Sequence, residues 1–111
     1  MHPNRFIVVV GLLAYAACNR GAQITVRNES ATEVQDVRVE GRCFAETIGN
    51  LRSGARKSVH AKPCGESSIR IKLSVRGAAH ETSGLGYIEA SSSHAVTLVI
   101  GSDFSVRESA R

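Results

Sequence analysis

Apolar and polar residues alternate along much of this chain, and the clearest example lies between residues 68 and 76. The apolar side chains occupy every odd position of that stretch: Ile69, Ile71, Leu73 and Val75. Serine, arginine and lysine occupy the even positions. A period of two places each set on its own face of a β-strand. We therefore predict an antiparallel strand with one buried and one solvated face.

Shorter runs of the same kind continue from residue 23 to residue 107. Further strands are predicted at residues 23–27, 34–40, 43–48, 57–62, 80–90, 95–100 and 104–106. Clusters of glycine, asparagine, serine and proline separate them, among them a predicted turn at residues 49–54. No stretch shows the period of a helix. Seven or eight short strands at this spacing predict an all-β domain, a sandwich of the Greek-key type.

The first 17 residues have a different pattern. After Arg5, residues 6–17 form an apolar run that contains only Gly11 and Tyr15 as weaker members. As a helix this run would span roughly 18 Å, well short of the ~30 Å hydrocarbon core of a membrane. We predict a cleaved signal peptide at residues 1–17, with an uncleaved anchor as an alternative.

The end of that segment, YAAC, resembles the lipobox of bacterial lipoproteins, in which small residues precede a cysteine that becomes lipidated and N-terminal. The family usually carries Leu where this chain has Tyr15. The resemblance implies lipid on Cys18 and a tether at residues 18–22. Asn19, beside the lipidated cysteine, implies the outer membrane, facing the periplasm. Ordinary cleavage after Ala16 is the alternative, and it gives a secreted or soluble periplasmic protein.

Three cysteines are an odd number for an exported chain. If Cys18 carries lipid, Cys43 and Cys64 remain, and an oxidising compartment would pair them. That disulfide would stabilise the domain by roughly 3 kcal/mol. Two alternatives stay open: two unlinked thiols, or a metal site completed by His60 and His80. Because the spacing matches no compact zinc pattern, we predict no metal and no cofactor.

Composition and charge limit the range of functions. The formal net charge of +4 is mild and is not gathered in a basic run, so we predict no nucleic-acid binding. The chain has no G-x-S-x-G motif. Glu81 and Glu89 lie about 26 Å apart in one extended strand, too far to share a substrate. We predict neither enzymatic activity nor a small-molecule substrate.

A basic stripe is the first candidate binding feature. Arg70, Lys72 and Arg76 share the polar face of the clearest predicted strand. Such a stripe could contact anionic lipid head groups, lipopolysaccharide or an acidic partner. The alternative is a solvated face that keeps the sheet from aggregating.

The turn and core patterns ITVRNES, IGNLRSGA and GYIE, the last followed by a Val-rich strand, resemble those of small bacterial lipoproteins with immunoglobulin-like domains. The resemblance covers most of residues 23–107. It implies a sandwich of about seven antiparallel strands. Separately, we predict a frayed tail at residues 108–111, as is common at chain termini. The resemblance also implies a lipid-anchored envelope module with a binding or structural role. Its partners would be the membrane, through Cys18, and an envelope protein.

A second resemblance is local. The sequence SGLGY at residues 83–87 is similar to the S-G-x-x-Y element of periplasmic membrane-bound lysozyme inhibitors. It implies that Ser83 and Tyr87, on a hairpin loop, help to plug the lysozyme cleft. The second motif of that family contains a lysine, and residues 88–100 have none. An ordinary glycine-containing hairpin is the alternative.

Overall fold

The computed structural model describes residues 20–109, and every regular element in that range is a β-strand. The predicted signal peptide, the predicted lipidation site at Cys18 and the last two residues of the predicted tail lie outside the described residues. The eight strands are β1 (Gly21–Asn28), β2 (Val34–Gly41), β3 (Phe44–Leu51), β4 (Arg56–Ala61), β5 (Ser67–Val75), β6 (Ala78–Ile88), β7 (Ser93–Ile100) and β8 (Val106–Glu108).

The strands form two four-stranded sheets. Sheet 1 has the order β4-β1-β7-β8, and sheet 2 has the order β3-β2-β5-β6. The predicted all-β sandwich is confirmed. It has eight strands, one for each predicted segment, but β1 and β7 pair in parallel, whereas antiparallel strands were predicted. Strands alternate in direction along the chain, so two odd-numbered strands run the same way when they become neighbours.

The buried faces of the two sheets supply the core. In β5 all four apolar side chains are at most 5% exposed, as the alternation predicted. The same core cluster includes Ile24 and Val26 of β1 and Leu98 of β7, all fully buried. The core consists mainly of branched aliphatic side chains, which suit the pleated surface of a sheet.

An irregularity in β2 explains a departure from strict alternation. Val34, Val37 and Val39 are all fully buried, although Val34 and Val37 are three residues apart. Asp36, between them, has a positive φ of 53°, and the register with β3 shifts on both sides of Val37. This bulge inserts one residue, so both valines reach the core.

Several strand boundaries differ from those predicted, and three of them show the reason. β1 begins at Gly21, two residues before the predicted strand, and Gly21 and Ala22 are buried. β3 continues through the predicted turn to Leu51, which is buried opposite Val34. Glu108 belongs to β8 rather than to a tail. In each case pairing with a neighbouring strand, which local sequence does not encode, extends the element.

Alternating strand directions place the connections at two opposite ends of the sandwich. The proximal end holds Arg20, the start of β1 and the connections at residues 42–43, 62–66 and 89–92. The distal end holds the connections at residues 29–33, 52–55, 76–77 and 101–105. This division decides which residues can act together.

Candidate functional site

A disulfide joins Cys43 and Cys64, which confirms the predicted pairing. The Sγ–Sγ distance is 1.98 Å, and the Cα atoms are 5.6 Å apart. Cys43 lies in the two-residue turn between β2 and β3, with a φ of 66°. The backbone N–H of Cys64 donates to the carbonyl of Arg42 at 3.4 Å. The bond therefore links two of the three connections at the proximal end.

The histidines of the predicted metal alternative lie elsewhere. His60 is exposed on β4, opposite Gln23 of β1. His80 packs against Phe104, with the ring centroids 5.6 Å apart. Within residues 20–109 no group of three or more His, Cys, Asp or Glu side chains is placed to hold a metal ion. With both sulfurs in the disulfide, the four residues do not form a thiolate site.

The outer face of sheet 2 carries a cluster of three cations around one carboxylate, which we call the Glu40 cluster. Arg70 Nη2 lies 3.0 Å from Glu40 Oε1, and Lys72 Nζ lies 3.4 Å from the same oxygen. Arg38 Nε lies 3.4 Å from Glu40 Oε2. The register places Glu40 opposite Arg70 and Arg38 opposite Lys72, so β2 and β5 build the cluster together.

The surrounding cations hold the central carboxylate in its charged form. The hydrogen bond from Arg70 is the main reason that the pKa of Glu40 lies below its ordinary value. Burial opposes this effect, and Lys72 adds to it. The Glu40 side chain is 14% exposed, while the three cationic side chains are 43–48% exposed. One carboxylate thus leaves two positive charges of the cluster available to solvent.

The region next to the Glu40 cluster contains a further carboxylate and an open depression. Glu81 of β6 lies opposite Lys72 in the register. Together with Asp36, Ser74 and Ala79 they line a depression of about 320 Å³ on the same side. Counting Glu81 and Asp36, this region carries three cations and three carboxylates, so its formal charges balance. The three cations are gathered around Glu40, and the other two carboxylates line the depression.

The predicted basic stripe is only partly correct. Arg70 and Lys72 lie on the outer face of β5, but β5 ends at Val75. Arg76 lies in the two-residue turn with Gly77, and both residues have positive φ angles, 51° and 83°. Those angles are typical of a type I′ hairpin, which takes Arg76 off the strand face and places it at the distal end. Arg38 replaces it, a residue that only the pairing of β2 with β5 could reveal.

Ser83 and Tyr87 lie within β6, an edge strand of sheet 2, and not on the predicted hairpin loop. Gly84 and Gly86 have positive φ angles of 75° and 63°, and the register with β5 shifts twice near them. The glycines therefore serve bulges. Both Ser83 and Tyr87 are exposed.

The phenol of Tyr87 lies between two carboxylates at the proximal end. Its oxygen is 2.8 Å from Glu66 Oε1 and 2.8 Å from Glu89 Oε2, so the hydroxyl donates to one of them at a time. Its ring meets His94 edge-on, with centroids 6.3 Å apart. The hydrogen bond to Glu66, followed by that to Glu89, raises the pKa of Tyr87. The Tyr87 hydroxyl, followed by Ser91, in turn lowers the pKa of Glu89.

Comparison with known proteins adds no assignment: neither a protein-family model nor a curated protein matches this sequence. Among residues 20–109, no helix is long and apolar enough to cross a membrane.

Proposed function

We propose that this protein is a lipid-anchored module of the cell envelope that faces the periplasm from the outer membrane. Lipid on Cys18 attaches it, and the sandwich acts through its surface as a binding or structural component. The sequence motif ending at Cys18 supports the anchor, and the pairing of the other two cysteines leaves Cys18 as the remaining thiol. Several acyl chains on one cysteine hold far more firmly than a single chain.

The Glu40 cluster is the observation that carries the binding role. Arg38, Arg70 and Lys72 are each close to half exposed, and all three share a single paired carboxylate, Glu40. Exposed guanidinium groups suit planar carboxylates, which they bind with two hydrogen bonds. The strand pairing holds the backbone of all three residues in a fixed register. The partner we propose is therefore an envelope protein with an acidic segment.

The position of the cluster favours a protein over lipid head groups. Arg70 and Lys72 follow the proximal start of β5 by three and five residues, or about 10 and 17 Å along an extended strand. At physiological ionic strength exposed charges are screened beyond about 8 Å. With the anchor attached near the start of β1, the Glu40 cluster lies above the lipid head groups and faces along the membrane surface. A protein beside the module can reach it there.

Site-specific photo-crosslinking in intact cells tests this role. Thr47 is exposed on β3 opposite Arg38, so a photoreactive residue at position 47 samples the face of the Glu40 cluster. We expect it to capture an envelope protein with an acidic segment. The same residue at Ser58, exposed on β4 of the other sheet, is the matched control and should not capture it.

Charge reversal completes the test. The double change Arg70→Glu and Lys72→Glu should abolish the adduct formed from position 47. The matched change Arg52→Glu and Arg56→Glu, at exposed positions away from the cluster, should leave it. An adduct of equal yield from positions 47 and 58, or one that survives reversal of the cluster, would contradict the proposed role.

A second candidate function is inhibition of lysozyme, favoured by the exposure of Tyr87, which is 53%, and of Ser83 on the same strand. Purified protein would then slow the lysis of cell-wall substrate by lysozyme, and Tyr87→Ala would remove the effect. Unchanged lysis at excess protein would exclude this function. The role is separate from the Glu40 cluster, which lies on β2 and β5.

A further inference from the structure

The sandwich begins very close to the proposed lipid. Gly21, at the start of β1, donates its N–H to the carbonyl of Ser92 at 3.1 Å. A Cβ at this position would come within 2.5 Å of the carbonyl oxygen of Ala61, so the backbone is closely enclosed. The next residue, Ala22, is fully buried between its partners Ala61 and His94. The folded domain is therefore fixed from Gly21 onward.

Chain geometry limits how far this start can stand from the anchor. Three peptide links join the Cα atoms of Cys18 and Gly21, and at 3.8 Å each they span at most about 11 Å. β5 has nine residues and is about 30 Å long. The greatest possible distance between Cys18 and Gly21 is therefore shorter than the sandwich is long. The proximal end must be the end near the lipid.

The same end carries an exposed aromatic side chain. Among residues 20–109, Tyr87 is the one large hydrophobic residue whose side chain is exposed. It contacts His94, the register partner of Ala22, so its ring lies close to the start of β1. Tyrosine is enriched where proteins meet the interface between membrane and water, because its ring is apolar and its hydroxyl is polar. This position suits the head-group region.

The proximal and distal ends of the sandwich also differ in net charge. The proximal connections and Arg20 contain three cationic side chains and two carboxylates. The distal connections contain two cationic side chains, on Arg52 and Arg76, and three carboxylates. Anionic lipids attract the first arrangement over the second. Charge thus favours the orientation that the linker length requires.

We infer that the proximal end rests on the membrane that carries the anchor, with the ring of Tyr87 in the phospholipid head-group region. This inference rests on the proposed lipid anchor and adds an orientation to it. The distal end then points away from the bilayer, and the outer face of sheet 2 stands roughly upright. Tyr87 is not available to a lysozyme in this orientation, so the two uses of Tyr87 exclude each other.

Tryptophan fluorescence tests the orientation, because the chain contains no tryptophan. Lipidated Tyr87→Trp protein is reconstituted into vesicles of phosphatidylethanolamine and phosphatidylglycerol, without and with brominated acyl chains. Ser91→Trp, exposed in the proximal connection at residues 89–92, is a second reporter that keeps Tyr87. Ala31→Trp, exposed in the distal connection at residues 29–33, is the matched control.

We expect both proximal reporters to emit at shorter wavelength in vesicles and to lose severalfold more intensity to brominated lipid than the Ala31→Trp control. Equal quenching at both ends, or unquenched proximal reporters on protein that floats with the vesicles, would overturn the orientation while leaving the anchor in place. Protein that fails to float with vesicles would remove the anchor and the orientation together. Strong quenching of Ser91→Trp supports the orientation even if Tyr87→Trp proves unstable.

Discussion

The side-chain amide nitrogen of Asn28 donates a hydrogen bond to the backbone carbonyl of Leu51, 2.9 Å away and 23 residues further along the chain. This bond joins the end of β1 in sheet 1 to the end of β3 in sheet 2. The same nitrogen donates to the carbonyl of Thr32, and its Oδ1 accepts from the N–H and hydroxyl of Ser30. Asn28 is fully buried, and both its donors and its acceptor are used.

Replacing Asn28 with Ala should therefore cost about 2–4 kcal/mol in the free energy of unfolding, because it leaves several buried polar groups without partners. Asn50→Ala is the matched control. Its amide accepts one bond from the N–H of Asp36 in an exposed setting, so its loss should cost under about 1 kcal/mol. Urea denaturation of both variants measures the difference. Similar midpoints would mean that the Asn28 network does not stabilise the fold.

The second prediction compares the effect on stability of substitutions on the buried and exposed faces of β5. Leu73 is 3% exposed, so Leu73→Ala should cost about 2–5 kcal/mol. Lys72, the adjacent residue on the outer face, is nearly half exposed, so Lys72→Ala should change the free energy of unfolding by no more than about 0.5 kcal/mol. Chemical denaturation distinguishes the two, and equal effects would refute the assignment of the faces.

The disulfide makes a third prediction. Cys43 and Cys64 are 21 residues apart, and loss of their bond should remove roughly 3 kcal/mol by the loop-entropy relation. The double change Cys43→Ser and Cys64→Ser should lower the urea midpoint, and a reductant should lower that of the parent protein by a similar amount. Iodoacetamide should not label these cysteines before reduction. Labelling without reductant would show that the bond is absent in the purified protein.

Local sequence predicted the parts of the fold that one strand decides. The alternation assigned residues 69–75 to the correct faces of β5, but it extended the strand one residue too far, because Arg76 forms the turn with Gly77. Pairing between distant strands could not be predicted, because nothing in the local sequence around residues 23 and 95 indicates that they pair in parallel. The bulge at Asp36 was missed for a similar reason: the extra residue is decided by the neighbouring strand.

The candidate site shows the same limit. Arg70 and Lys72 were found because they lie on one strand, while Arg38 and Glu40 join them only through the pairing of β2 with β5. The two carboxylates beside Tyr87 come from different connections, at residues 62–66 and 89–92. The sequence does indicate that Arg38 and Glu40 are exposed, because both occupy the polar face of a predicted strand. The sequence does not tell which strand lies next to it.

The titration of Tyr87 makes a fourth prediction. Removing residues 1–17 takes away Tyr15 and leaves Tyr87 as the single tyrosine, so phenolate absorbance reports it directly. The carboxylates of Glu66 and Glu89 raise its pKa, so it should ionise above the ordinary value of about 10. Because the folded-state pKa is the higher one, the associated stability is present below pH ~10 and is lost as the pH rises through the raised value.

The matched variant for this titration is Glu66→Gln, which keeps the shape of the side chain and removes its charge. It should lower the pKa of Tyr87 towards the ordinary value, because Glu66 is the largest cause of the shift. Lys57→Gln, in sheet 1, should leave the titration unchanged. A phenol that titrates as an ordinary tyrosine in the folded parent protein would contradict the described contacts.

Membrane fractionation of Cys18→Ser tests the central claim most directly. The parent protein should sediment with the outer membrane after processing. Cys18→Ser should appear in the soluble periplasmic fraction or accumulate as the uncleaved precursor, whereas the double serine variant of Cys43 and Cys64 should stay with the membrane. A Cys18→Ser protein that is processed and sediments with the outer membrane as the parent does would contradict the lipid anchor.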